Sequence, residues 1–121
     1  MTVFDASALL AYLGAEDGAD TVESALERGG MCSTANWSEV AQKVLAAGGD
    51  WDLSRALLLS YGITLGPVDA DDAEWAARRW RKGEGLSLGE RLCLALAHRL
   101  DDVAITADRT WGEDARIHQI R

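Results

Sequence analysis

The sequence has little proline, and it lacks a long uninterrupted apolar run. Its one proline, Pro67, and the absence of any low-complexity tract give no sign of a linker, so 121 residues fit a single domain. No window approaches the roughly eighteen apolar residues that a transmembrane helix needs. The N-terminus has no basic segment before its apolar residues, unlike a signal peptide. We therefore expect one soluble, cytoplasmic domain over residues 1–121, with no membrane partner.

Cysteine is also scarce, and the two cysteines do not form a metal-binding pattern. Cys32 and Cys93 are far apart in the chain, show no Cys-x-x-Cys spacing, and each has apolar neighbours. This pattern predicts reduced thiols that are packed in the core, without a chemical role.

Basic residues are outnumbered by acidic ones. The chain has 12 Lys and Arg against 20 Asp and Glu, and its net charge of −8 repels nucleic acid at long range. One exception is the segment "RRWRK", residues 78–82, around Trp80. The basic side chains of this segment either complement the dipole at the end of a helix or contact phosphate groups, and the sequence does not decide between these two interpretations. We expect all five tryptophans to pack in the core or in a dimer interface rather than against bases.

Short strand-like runs alternate with longer helical segments. The strand-like runs are "TVF", "MCS", "ITLGPV", "VAIT" and "IHQI", at residues 2–4, 31–33, 63–68, 103–106 and 117–120. Helical patterns fill the intervals, and "DLSRALLLSYG" continues the helical run of "TANWSEVAQKVLAAGG". Strands separated by helices predict right-handed crossovers, and hence an α/β fold with a parallel sheet covered by helices on both faces. Pro67 favours an edge position for the third strand.

Four acids stand near the carboxyl ends of the predicted strands, where such sheets bind ligands. Asp5 follows the first strand and Asp108 the fourth, while Glu39 lies in the helix after the second strand. Glu90 lies in the first turn of the helix that precedes the fourth strand. If the first and fourth strands are neighbours, one crevice can receive all four side chains.

Each acid also has a simpler interpretation. Asp5 and Asp108 can be helix N-caps, and Glu39 can form an i,i+4 ion pair with Lys43. Ser87 and Glu90 have the spacing of a capping box, in which each side chain bonds the other residue's backbone N–H. None of these local roles requires the acids to converge.

Convergence would have a chemical consequence, because neighbouring carboxylates raise one another's pKa and a divalent cation relieves their repulsion. Oxygen-only ligands favour Mg²⁺ or Mn²⁺ over zinc or copper. Such ions activate water and hold a phosphodiester for in-line attack. The acids therefore predict metal-dependent phosphoryl transfer or hydrolysis.

Four segments occur in one order: "DASALLAYL", "NWSEVAQKV", "GLSLGERLCLALA" and "TADRTW", followed by a terminal "IR". In this combination the chain, from Thr2 to Arg121, resembles the PIN-domain ribonucleases of the VapC toxin type. The resemblance implies a PIN-like domain and cleavage of RNA with Mg²⁺ or Mn²⁺. It also implies a homodimer and neutralisation by a cognate antitoxin. The implied catalytic and metal-binding residues are Asp5, Glu39, Glu90 and Asp108.

Four polar residues lie within the same motifs: Ser7, Asn36, Thr106 and Arg109. They either position metal ligands or a substrate phosphate, or they make only local turn and cap bonds. The remaining acids include Asp69, Asp71 and Asp72, which we expect to lie at the N-terminus of a helix, away from the crevice. Glu113 or Asp114 could assist from outside the ligand set.

One departure concerns Glu90, because the resembled family usually has Asp there, in "SLGDR". The extra methylene extends the carboxylate by about 1.5 Å, which a near-octahedral Mg²⁺ site does not absorb freely. An alternative function is therefore a catalytically weakened PIN-fold module that binds RNA or a partner. A phosphoacceptor receiver domain fits poorly, because "FDAS" lacks its acid pair and "IHQIR" lacks its lysine.

Overall fold

The computed structural model describes residues 2–112 and 114–121 of the chain. Within this part, strands β1 to β5 are Thr2–Phe4, Gly30–Ser33, Thr64–Gly66, Ala104–Thr106 and Ile117–Gln119. Helices α1 to α6 are Ala6–Leu13, Ala19–Glu27, Thr34–Ala46, Trp51–Ser60, Ala70–Arg79 and Leu88–Leu100. A 3₁₀ turn, Arg109–Trp111, follows β4. No helix of the described residues is long and apolar enough to cross a membrane.

The strands form one parallel sheet in the order β3-β2-β1-β4-β5. Val3 in β1 lies opposite Met31 on one side and Ala104 on the other. The predicted α/β fold is confirmed, and β1 and β4 are neighbours as the crevice hypothesis requires. The third strand is an edge strand, with Pro67 directly beyond its end.

The sheet is covered on both faces, because alternate residues of each strand enter different cores. Phe4 packs with helices α1 to α4 through residues such as Leu9 and Leu26, whereas its neighbour Val3 packs with α6 residues such as Leu96. Each buried Leu or Phe side chain contributes about 1.5–3 kcal/mol to folding. These two cores hold the ends of β1, β4 and α6 in place at one edge of the sheet.

The helical run after β2 is divided into two helices, whereas the sequence pattern predicted one continuous run. The chain leaves α3 after Ala46, and Gly48 adopts a φ of 78° that a residue with a side chain rarely adopts. Asp50 then caps α4, with its carboxylate accepting the backbone N–H of Leu53 at 3.1 Å. The glycines and this cap together outweigh the continuing apolar pattern.

Both cysteines are free and fully buried, as predicted. Cys32 belongs to the core on the α1 side of the sheet, and Cys93 to the core on the α6 side. Burial raises the pKa of each thiol well above its ordinary value, so both thiols stay protonated and unreactive.

Candidate active site

A cavity of about 260 Å³ opens at the carboxyl edge of the sheet. Its walls come from α1, α3, α6 and the turn after β4. The lining residues are Asp5, Ala6, Ser7, Leu10, Asn36, Glu39, Lys43, Glu90 and Asp108. The four predicted acids therefore meet at one cavity, although they come from four separate segments of the chain.

Asp5 is the most constrained of the four acids, with only 3% of its surface exposed. It is the N-cap of α1, since its Oδ1 accepts the backbone N–H of Ala8 at 2.8 Å. The Ser7 hydroxyl lies 2.8 Å from both carboxylate oxygens, and the Thr106 hydroxyl donates to Oδ2 at 2.8 Å. These bonds fix the orientation of the Asp5 side chain.

Burial nevertheless raises the pKa of Asp5 from an ordinary 3.8 to about 6, against the opposing effect of its hydrogen bonds. The nearby Glu90 carboxylate raises it further. The charged form is therefore costly in the folded protein by roughly 3 kcal/mol above pH 6, which a bound cation would offset.

This shift predicts how stability depends on pH. The folded state holds the Asp5 proton more tightly than the unfolded chain, so the stability from this group is present below about pH 4 and is lost as pH rises through 6. In EDTA, the melting temperature of Asp5→Asn minus that of the wild type should therefore increase between about pH 4 and pH 7. A difference that stays constant with pH would contradict the raised pKa.

Ser7 and Thr106 connect the ends of β1 and β4. Their hydroxyl oxygens are 3.2 Å apart, and the Ser7 Oγ accepts the backbone N–H of Ala107 at 2.9 Å. The Thr106 Oγ1 accepts the backbone N–H of Asp108 at 3.0 Å. Both hydroxyls thus orient the acids of the cavity, and both also make the local turn bonds that the sequence left open.

Glu39 is held by Asn36 rather than by Lys43. The Asn36 amide, itself buried, donates to Oε1 of Glu39 at 2.9 Å and to the carbonyl of Gly89 at 3.0 Å. Among the described residues no ion pair joins Glu39 to Lys43, so that simpler interpretation is wrong. The amide instead ties α3 to the start of α6.

Gly89 is a site residue that the sequence analysis missed. A Cβ built on Gly89 would lie 2.5 Å from Oε1 and 2.9 Å from Cδ of Glu39. A side chain at this position would push the Glu39 carboxylate away from the place that it occupies beside the first turn of α6. The sole sequence signal was a glycine next to a candidate acid, which by itself does not distinguish close packing from a tolerated helix glycine.

Glu90 combines half of a cap with a partly buried carboxylate, one oxygen of which is fully buried. Its backbone N–H donates to the Ser87 hydroxyl at 3.2 Å, but no bond from its carboxylate to the Ser87 N–H occurs in the described residues, so the full capping box is not formed. Its Oε2 is buried without a hydrogen-bond partner among those residues, and so is the indole N–H of Trp111. Burial and the charge of Asp108 raise the Glu90 pKa, while proximity to Ser87 and Trp111 lowers it.

Asp108 lines the cavity and also caps the following 3₁₀ turn. Its Oδ1 accepts from the Thr110 backbone N–H at 2.9 Å and from the Thr110 hydroxyl at 2.7 Å, so the N-cap interpretation is confirmed. Of the four predicted polar residues, Ser7 and Asn36 line the cavity, whereas Thr106 and Arg109 do not. Thr106 is fully buried and bonds Asp5, and the Nε of Arg109 donates to the carbonyl of Arg121 at 2.8 Å.

The acids that were set aside occupy other places. Asp69 and Asp72 form a capping box at the start of α5, and Arg99 binds both oxygens of Asp72 at 3.1 Å. Asp114 accepts the backbone N–H of Arg116 and lines a different cavity. Glu113 lies outside the described residues.

The donor set of the cavity suits a hard divalent cation. It contains carboxylate, amide and hydroxyl oxygens with no histidine or cysteine, and Oε2 of Glu90 and Oδ1 of Asn36 are buried without partners among the described residues. In that same part of the chain, no three acidic, histidine or cysteine side chains are close enough to enclose an ion as they stand. Binding a cation therefore requires the carboxylates to turn toward a common centre.

Comparison with known proteins agrees with this geometry. A sequence model of the PIN domain matches residues 2–115. The chain belongs to the PIN-domain family. Within this family, it is 35% identical over 107 residues to "VapC ribonuclease Mb2780c" from Mycobacterium bovis and to "Ribonuclease VapC42" from Mycobacterium tuberculosis. Each match covers 78% of this chain and 81% of the relative, so the chain is a member of the VapC ribonucleases.

A solved structure with the same fold extends the comparison to the whole chain. The structure described as "Toxin-antitoxin complex from Klebsiella pneumoniae" superposes with a TM-score of 0.78 at 18% identity. It covers 100% of this chain and 98% of that one, which supports the fold assignment from end to end. PIN-domain VapC nucleases are typically metal dependent, which agrees with the oxygen-only donors of the cavity.

Proposed function

We propose that this VapC-type protein hydrolyses phosphodiester bonds of RNA in the acidic cavity, with Mg²⁺ or Mn²⁺ held by Asp5, Glu39, Glu90 and Asp108. The observation that supports this most is the meeting of four acids from separate segments at one cavity. Capping or surface pairing alone would not bring them together, whereas a shared cation would.

The divalent ion, when bound, supplies positive charge that activates water and stabilises the negative charge developing on the phosphate. The protein's own residues fix the ligands. Ser7 and Thr106 orient Asp5, and Asn36 orients Glu39 against the start of α6. We assign these three residues a positioning role at the site. Arg109 remains a predicted phosphate contact, and reaching the cavity would require it to release the Arg121 carbonyl.

A second candidate function is a catalytically weakened PIN module that binds RNA or a partner without efficient cleavage. The specific observation in its favour is Glu90, whose longer side chain carries a buried oxygen without a hydrogen-bond partner among the described residues. A carboxylate held by the cavity wall near Trp111 would coordinate an ion less well than one that reaches its centre.

Comparing the wild type with Glu90→Asp separates the two candidates. If the nuclease proposal is right, wild-type protein cuts total cellular RNA with Mg²⁺ or Mn²⁺ and stops in EDTA. Glu90→Asp should then also cleave, since the ligand type is kept, and its rate relative to the wild type reports how well the longer acid serves. An inert wild type beside an active Glu90→Asp would support the weakened module. Asp71→Glu, at an exposed acid of α5, serves as the control for a one-methylene change.

We further propose the partners and setting that the resemblance implied: a single cytoplasmic domain over residues 1–121, a homodimer and a cognate antitoxin. Exposed leucines on α3 and α4, Leu45, Leu53 and Leu57, give a surface that a second copy could bury. The acidic balance of the chain suits a basic antitoxin segment, and an arginine entering the cavity would compete with the metal.

A further inference from the structure

The end of α5 concentrates positive charge in an otherwise acidic chain. Four of its 12 Lys and Arg fall within residues 78–82. Arg79 is paired with Glu84 at 2.6 Å, but within the described part of the chain neither Arg81 nor Lys82 pairs with a carboxylate. The Arg81 guanidinium donates to the carbonyls of Arg78 and Trp80, so the helix-end interpretation is confirmed for this residue. Its positive charge is still available to an anion.

Aromatic rings accompany these bases. Trp80 is 56% exposed between Arg79 and Arg81, although an indole is costly to leave in water. Trp75 stacks on His98, with ring centroids 5.2 Å apart and planes 28° apart, and both rings line a cavity of about 210 Å³. A second cavity, next to the first through Trp75 and Arg79, extends along Arg78 and Arg81. The basic–aromatic surface comprises Trp75, Arg78, Arg79, Trp80, Arg81 and Lys82.

This surface extends along α6, from His98 in its last turn, on which Trp75 stacks, toward its first turn beside the acidic cavity. Helices α5 and α6 run antiparallel, since Arg91 near the start of α6 donates to the Ala76 carbonyl while Arg99 near its end pairs with Asp72. The last turn of α5 is therefore beside the first turn of α6, which carries Glu90. Leu88, in that same first turn, is exposed.

The net charge of −8 repels a polyanion at long range, so a local positive surface would add to the affinity that a cation in the acidic cavity supplies. We propose that the basic–aromatic surface binds single-stranded RNA next to the bond cleaved in the acidic cavity. Phosphates lie against Arg78, Arg81 and Lys82, and bases stack on Trp80 and in the cavity of Trp75. The strand is single because the bases of a duplex are already stacked on their neighbours and offer no free face to an aromatic side chain. This inference rests on the proposed function and deepens it.

Binding is measured by fluorescence anisotropy in EDTA, which prevents cleavage, using a fluorescein-labelled single-stranded RNA of about twelve nucleotides. The double variant Arg81→Gln with Lys82→Gln removes the two charges that lack a carboxylate partner. The matched control removes two exposed charges elsewhere, Arg28→Gln with Arg55→Gln. A further variant, Arg81→Lys with Lys82 intact, keeps the positive charge but removes the guanidinium that donates to the carbonyls of Arg78 and Trp80. Circular dichroism verifies that each protein is folded.

A plot of the logarithm of the association constant against the logarithm of the salt concentration has a negative slope. If the proposal is right, this slope is less steep by about 1.4 in the Arg81/Lys82 variant, since each single-strand phosphate contact contributes about 0.7. The control variant leaves the slope near that of the wild type, and Arg81→Lys binds nearly as the wild type does. Trp80→Ala weakens binding about tenfold, and Trp80→Phe restores most of it because the stacking face is kept.

Equal losses in the Arg81/Lys82 variant and in the control would overturn the proposal, as would a preference for double-stranded RNA. Capture of an acidic protein segment at the surface, with RNA binding unaffected by the variants, would overturn it as well. Wild-type protein that cuts RNA with metal but is insensitive to these variants refutes this surface alone. Wild-type protein that binds through the surface but never cuts refutes the nuclease function alone.

Discussion

Replacing Asp5 by Asn should abolish metal-dependent RNA cleavage while leaving the protein folded. The substitution removes the negative charge at the most buried of the four acids, yet Asn keeps the shape and the oxygen that accepts the Ala8 N–H. The Thr106 hydroxyl can rotate to accept from the new amide instead of donating to Oδ2. Changing residues behind metal ligands costs about 10–100-fold, so losing a ligand charge should cost more than about 100-fold.

The matched control is Asp72→Asn, the same substitution at another buried aspartate. Asp72 pairs with Arg99 and belongs to the capping box of α5, and it does not line the acidic cavity. We expect its loss to lower the unfolding free energy by about 1–3 kcal/mol but to leave the cleavage rate of the folded protein unchanged. Cleavage that survives Asp5→Asn, or that is lost equally in Asp72→Asn, would exclude Asp5 as a metal ligand.

Replacing Gly89 by Ala should reduce cleavage about 100-fold without destabilising the protein. The new methyl group would lie 2.5 Å from Oε1 of Glu39, and the carboxylate would have to move away. A displacement of about 1 Å at a reacting group can cost about 100-fold in rate. Alanine at the same time favours the helix by up to about 1 kcal/mol relative to glycine. Activity and stability should therefore change in opposite directions.

Rate constants and melting temperatures of Gly89→Ala test this directly. Gly14→Ala is the control, because its methyl group would lie 3.0 Å from Oε2 of Glu16, a glutamate that does not line the acidic cavity. We expect this control to cleave RNA like the wild type. A Gly89→Ala protein with normal activity would show that the position of Glu39 does not matter for cleavage.

The fold and the meeting of the acids were predictable because both depend on strand order. Strands separated by helices require parallel crossovers, and a parallel sheet directs its carboxyl ends to one edge. Once β1 and β4 are neighbours, Asp5 and Asp108 must end at the same place. The resemblance to VapC ribonucleases added the catalytic and metal-binding roles of all four acids, which strand order alone left open.

The contacts among side chains were not predictable, because they depend on distances that spacing does not determine. The i,i+4 rule favoured Lys43 as the partner of Glu39, but the buried Asn36 amide competes for the same carboxylate and offers a fixed, desolvated donor. The closeness of Gly89 to Glu39 and of Trp111 to Glu90 arises from the packing of α6 against α3 and the 3₁₀ turn. Arg109 does not line the cavity, because its guanidinium donates to the carbonyl of Arg121, a contact between residues twelve positions apart that spacing does not predict.

The most direct measurement is the rate at which the wild-type protein cleaves one purified RNA as Mn²⁺ is titrated into EDTA-treated protein. The account predicts no cleavage without metal and a rate that rises with Mn²⁺ and saturates. It also predicts that Ca²⁺, which has a larger radius and looser geometry, supports much slower cleavage. Cleavage that continues in EDTA, or that never appears at any Mn²⁺ concentration, would contradict the claim that the four acids form a metal-dependent nuclease site.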